Sequence, residues 1–254
     1  MERLNDARPV GIRADALRVW GLVFLAAGIF GKSVLQNRVL GLDHVDSRQL
    51  LELLESNMTA ATFALALQTA ETCAVPIFAL LLVEGYGHTG HFRSYFLRVL
   101  GLAVLTELPY NLAMGGKILD FGSRNPVFAL AVGLLVLYFF ERYPDRNAKN
   151  VFVKIIVTLA ALIWPGMLRI DHGFCTVLMV LVLWLFRRNP LKRNLAGAGA
   201  AILCTLVSPF YLTAPMAFLA IHFYNGEKTD SKSRVHYFAY PALLLLFGIA
   251  AKFV

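Results

Sequence analysis

At 254 residues, 58% hydrophobic and only 16% charged, with a mean hydropathy of +0.63, the chain is too apolar for a water-soluble domain, whose charged share is about 25%. Bilayer lipid is its expected solvent. A net charge of +8 would suit nucleic acid, but the Lys and Arg residues fall between apolar segments and not along one face, so no nucleic-acid partner is expected.

A helix that crosses the hydrocarbon core needs about 20 mostly apolar residues. Stretches of this kind fall at 15–36, 63–86, 93–114, 125–142, 149–168, 172–186, 194–208, 209–224 and 236–253. The expected fold is all-α, a polytopic membrane helix bundle of about nine transmembrane helices forming a single integral membrane domain, 1–254. Residues 1–14 are polar and lack a small-residue cleavage pattern, so a retained first span preceded by a cytoplasmic segment is expected. Between the first two spans, residues 46–56 carry leucines among charges at the spacing of an amphipathic interfacial helix. Ser208-Pro209 either separates two short spans or kinks one long one.

Lys and Arg collect in cytoplasmic loops. With the N-terminus inside, the inner segments hold seventeen basic residues and the outer segments six. This asymmetry predicts an inside N-terminus and an outside C-terminus. Neither the three cysteines nor the six histidines show metal-ligand spacing, so no metal is expected.

Two groups of polar residues interrupt the apolar pattern. On the inner side, Glu84, His88, Arg93 and Arg98 surround the turn between the second and third spans. Guanidinium groups there suit the phosphates of a coenzyme or nucleotide, and anionic membrane lipid is the competing partner. On the outer side, Glu71, Glu107, Asn111, Asn125, Arg169, Asp171 and His172 fall where one pocket could gather them. An intramembrane carboxylate signals a functional site by default, and a His beside a carboxylate suits general-base work. The bland readings stand beside these: Glu107 as half of an ion pair with Arg169 or Lys32, and Asp171 as the cap of the sixth span. Pro109, beside Glu107 and Asn111, is a candidate for cavity lining.

Ala74–Ala113, with its AVPIFALLLVEGYGHTGHF and LTELPYNLA elements, resembles the TraX family of integral membrane proteins, as do Asn125–Glu141, Ile170–Leu181, His222–Lys228 and His236–Leu246. That family is named for a conjugation protein that N-acetylates pilin and is grouped with multipass acyltransferases. The resemblance implies transfer of an acetyl or other acyl group from a coenzyme A thioester, acetyl-CoA or another acyl-CoA, to a protein N-terminus, a glycan or a lipid. It also makes a bacterial plasma membrane the expected location. Combined with the polar clusters, it nominates His172, Glu107 and His88 as catalytic, Arg93, Arg98 and Glu84 as coenzyme-binding, and Asn111, Asn125, Asp171 and Glu71 as substrate-binding. Two departures stand out. Gly28-Ile29 replaces the family's first-span Asp-His, and the last-span histidine is absent from Tyr240-Pro241-Ala242-Leu243-Leu244. They motivate the competing expectation of a non-catalytic transporter, channel or scaffold.

Overall fold

The computed structural model describes residues 11–41, 53, 55–120, 122–145, 147–226 and 235–253. The interfacial helix expected at 46–56, most of the polar N-terminal segment and the basic residues Lys228, Lys232 and Arg234 lie largely or wholly outside them. Among the described residues every regular element is helical.

α1 (Ala14–Ile29) runs directly into a π-helical segment (Phe30–Val39). α2 (Met58–Glu71) and α3 (Ala74–Gly87) form one rod of 30 residues. The rod loosens at Thr72-Cys73 because Pro76 has no N–H to return to the Thr72 carbonyl and its ring crowds that oxygen. α4 (Phe92–Gly115) tolerates Pro109 in its interior and stops at Gly116, whose φ of 65° suits a residue without Cβ. α5 (Val127–Arg142) follows. α6 (Ala148–Met167) is capped by Asn147, whose side-chain oxygen accepts from Asn150 N–H at 2.8 Å. α7 (Gly173–Leu185) precedes α8 (Pro190–Cys204), which Asn189 caps by accepting from Lys192 N–H at 3.0 Å. A 3₁₀ segment (Pro209–Met216), α9 (Ala217–His222) and α10 (Val235–Ala250) complete the order.

Each of the nine expected stretches coincides with helix. Four helical segments are long and apolar enough to cross a membrane by length and composition: Ala14–Val39, Met58–Gly87, Phe92–Gly115 and Ala148–Met167. Ser208-Pro209 separates two segments: α8 ends at Cys204, and Ser208 is extended with φ −151°. The 3₁₀ geometry matters for the short second piece. It rises about 2.0 Å per residue against 1.5 Å in an α-helix, so fewer residues reach across the bundle.

The packing is that of a membrane protein. α6 exposes Phe152, Ile155, Leu159 and Ile163, a surface that only lipid solvates without cost. α7 is the central helix and packs on α3, α5, α6 and α8. Small residues allow the close approaches: Gly133 meets Val180, Gly21 meets the Phe78 ring, and Gly197 lies against the Phe218 ring. At the basic end of the bundle, Tyr86 donates to Glu141 at 2.6 Å, Arg187 lies 3.3 Å over the Trp184 ring, and Arg193 faces Glu84 at 3.7 Å.

The glycine contacts are testable. A Cβ at Gly197 would overlap the buried Phe218 ring, whereas none of the structure lies within 4 Å of one at Gly199. Gly197→Leu is expected to destabilise by about 1–3 kcal/mol, seen as a lowered midpoint of thermal unfolding in detergent, while Gly199→Leu leaves the midpoint near that of the parent.

Candidate functional site

The site begins with the connection between α6 and α7. Its backbone is held by two hydrogen bonds to the loop before α5: Arg124 N–H donates to the Arg169 carbonyl at 2.8 Å, and Asp171 N–H donates to the Arg124 carbonyl at 2.9 Å. Arg169 and His172 on either side of Asp171 have φ of 54° and 55°. Left-handed backbone at a non-glycine residue costs free energy and persists where surrounding contacts dictate it. The bend presents Asp171 and His172 inward, side by side.

The Asp171 carboxylate accepts from the Tyr110 hydroxyl at 2.8 Å and lies 3.6 Å from Lys32 Nζ. His172 Nδ1 is 2.8 Å from the Tyr211 hydroxyl. Tyr110 and Tyr211 are both fully buried. His172 belongs to the connection and to neither helix. Burial pushes its pKa below the ordinary histidine value against the opposing charge of Asp171, so its ring is neutral at neutral pH. Asp171 does not cap α7; His172 occupies the cap position, without a side-chain cap bond. Glu71 ends α2, and its carboxylate packs directly on Gly28.

Two cavities meet here. One, of about 370 Å³, is the more polar and is lined by Lys32, Glu71, Tyr110, Asp171, His172 and Tyr211 among others. The second, of about 310 Å³, is an apolar cleft that runs from Arg18 to His172 between α1, α3 and α4. Pro126, His172 and Tyr240 line both. Tyr240 is 8% exposed, and its hydroxyl has no hydrogen-bond partner among the described residues.

The other nominated residues are placed differently. Glu107 lines neither cavity. Its carboxylate accepts from Arg124 Nη1 at 3.0 Å, from Asn125 Nδ2 at 2.6 Å and from Asn125 N–H at 3.2 Å, so its ion-pair partner is Arg124, not Arg169 or Lys32. Asn125 also donates to the Ala103 carbonyl at 2.9 Å and accepts from Val127 N–H at 3.1 Å. These bonds pin the loop before α5 to α4, and that loop holds the α6–α7 connection. Asn111 and Pro109 are buried in α4 away from both cavities, and Pro126 is the proline that lines them. At the basic end His88, Arg93 and Arg98 line neither cavity; His88 Nδ1 lies 2.7 Å from the Glu84 carbonyl, and the Glu84 carboxylate faces Arg193. Arg98 reaches the cleft only through Tyr95, which lines it and over whose ring the guanidinium sits at 5.7 Å.

Sequence reading missed Tyr110, Tyr211 and Tyr240. A tyrosine inside an apolar stretch looks like an interfacial or packing residue, and only the fold brings three of them to one cavity.

The sequence profile of the TraX family, described as TraX protein, matches residues 39–251, and the chain belongs to that family. Neither a curated protein nor a solved structure matches it. The matched region begins after Gly28, the residue against which α2 delivers the Glu71 carboxylate.

Asn125 uses its side chain on three partners, so Asn125→Ala leaves Glu107 short of a donor and frees a backbone N–H. A loss of about 1–3 kcal/mol is expected for an unsatisfied buried group, read as a lowered unfolding midpoint in detergent and as faster hydrogen exchange at Arg124 and Asp171.

Proposed function

We propose that this TraX-family membrane protein is an acyltransferase of the bacterial plasma membrane, whose basic end faces the cytoplasm and whose reaction centre is the junction of the two cavities. The observation that carries the reading is the position of His172. It lies where an apolar cleft suited to one substrate meets a polar cavity suited to another.

Acyl transfer needs a base for the acceptor's proton and a place for the activated carbonyl. The neutral His172 ring supplies the base. With Nδ1–H donating to the Tyr211 oxygen, Nε2 carries the lone pair that takes a proton from an acceptor hydroxyl or amine. Asp171 stands beside the imidazolium that forms, and is itself fixed by Tyr110 and Lys32. Lys32, Glu71 and Asp171 give the polar cavity hydrogen-bonding capacity for the acceptor. Glu107 and Asn125 act at one remove, by holding the Arg124 clamp. The donor is an acyl ester or thioester. Coenzyme A is the carrier that family likeness implies, and Arg18, with Arg98 over Tyr95, marks the cleft mouth where its phosphates would be met. Transport is the less favoured reading, because the middle of the cleft offers an ion no polar side chain.

Removal of a positioned base costs about 10²–10⁴-fold in rate. His172→Ala is expected to lower acyl transfer by about that factor, and Tyr211→Phe by less, with both variants eluting as the parent does from a sizing column. Since the base works neutral and its pKa is depressed, the rate should be flat at neutral pH and fall as acid protonates the ring, with a midpoint below the ordinary histidine value. Unchanged turnover in His172→Ala removes the assignment.

A further inference from the structure

The cleft carries a second message about the donor. Of its seventeen lining residues only five have polar side chains, and these lie at its ends: Arg18 and Tyr95 at one, His172, Thr176 and Tyr240 at the other. The first pair is already engaged, since Arg18 donates to Asp15 at 3.1 Å and the Tyr95 hydroxyl to the Leu82 carbonyl at 3.3 Å. Between the ends the walls are Leu22, Leu25, Phe78, Leu81, Leu102 and Leu130. An amide or phosphate lodged midway would lose its water partners and find no replacement. A hydrocarbon chain loses nothing there, and the bilayer supplies such chains at high local concentration. α1 and α4 line the cleft without packing closely on each other, and the cleft is partly open.

The junction supplies the complementary feature. Tyr240 is more than nine-tenths buried, lines both cavities and has a hydroxyl with no partner among the described residues. Because the residue lines both cavities, its hydroxyl faces their space and can donate to a group bound there. It opens on the same junction as His172, where the carbonyl oxygen of a bound acyl group would be.

We infer that the acyl donor is an ester of a membrane lipid, with its fatty chain along the cleft, its carbonyl at His172 and the carbonyl oxygen on the Tyr240 hydroxyl. The inference rests on the acyl-transfer reading above and replaces its water-soluble carrier with a lipid. The step balances as a transesterification or aminolysis. The acceptor hydroxyl or amine gives its proton to His172 Nε2 as its oxygen or nitrogen bonds the carbonyl carbon. The displaced electron pair moves to the carbonyl oxygen, held by Tyr240. As that pair returns, the ester C–O bond breaks and the departing lipid alkoxide takes the proton from His172. The products are an acylated acceptor and a lysolipid. Placing the reaction near the end opposite the basic one fits a donor present throughout the bilayer, where a cytoplasmic coenzyme would have to thread the apolar cleft.

The test uses the full chain in nanodiscs of deuterated-chain phosphatidylethanolamine, with hydroxylamine as the probe acceptor and mass spectrometry for deuterated hydroxamate and lysolipid. A parallel sample receives acetyl-coenzyme A. A third carries a phospholipid with a photoreactive diazirine in its chain. The expected result is both lipid products from the parent, at least ten-fold less from Tyr240→Phe and His172→Ala, and photolabelling of α1, α3 and α4 that falls at least five-fold in Leu25→Trp. Leu25→Met, which keeps the volume, should label like the parent, and sizing-column profiles confirm that each variant is folded. If acetyl-coenzyme A gives His172-dependent hydroxamate and the lipid gives none, the lipid donor is overturned and the acyltransferase reading stands. If neither donor gives product, both fall. Photolabelling spread over outer faces such as α6 and indifferent to Leu25→Trp also overturns the lipid donor.

Discussion

Two backbone hydrogen bonds between the loop before α5 and the α6–α7 connection hold the candidate site together. Arg124 and Asp171 exchange them with Arg169 and Arg124, and without them the left-handed residues at 169 and 172 would lack the contacts that offset their strain. The clamp is itself held from behind. Glu107 gathers the Arg124 guanidinium and both nitrogens of Asn125, and such charge-assisted bonds gain strength away from water. A carboxylate that seemed a candidate for chemistry thus stiffens the frame in which another residue is placed.

The same economy governs how a bilayer protein places its polar atoms. Lipid offers them no partners, so each must be satisfied inside the protein or face a cavity. Here they divide accordingly. Glu107, Asn125, Tyr86 and Glu141 are bonded to one another and to backbone, whereas Lys32, Glu71, Asp171 and His172 line a space of about 370 Å³. Small residues such as Gly28 and Gly197 then let bulky or charged groups from neighbouring helices fill what remains.

Most of the helix pattern was legible in the chain because apolar length is the dominant signal in a membrane protein, and it gave all nine segments within a few residues. The 3₁₀ stretch at Pro209–Met216 and the π-helical run at Phe30–Val39 were not legible, since they alter rise and winding without altering composition. The polar positions were found for the same reason they are costly: a charge among apolar residues is conspicuous. Which of them converge was not found, because that depends on helix rotation. Asp171, His172 and Glu71 converge as expected; Glu107 and Asn125 are neighbours that turn to each other; Arg93, Arg98 and His88 stay on the surface. The tyrosines were invisible as a group since each is ordinary in its own helix.

The departures at Gly28 and in the last span gain a physical context. A side chain at residue 28 would collide with the Glu71 carboxylate, so an Asp there and a Glu at 71 in its present position exclude each other. The carboxylates of the cavity come from α2 and from the α6–α7 connection, and its histidine comes from that connection as well. The last-span tyrosine that precedes Pro241 reaches the same junction from the opposite side. Separate elements can thus bring a histidine and carboxylates to one cavity, because what a bound group meets is the location of an atom and not the segment of chain that delivers it.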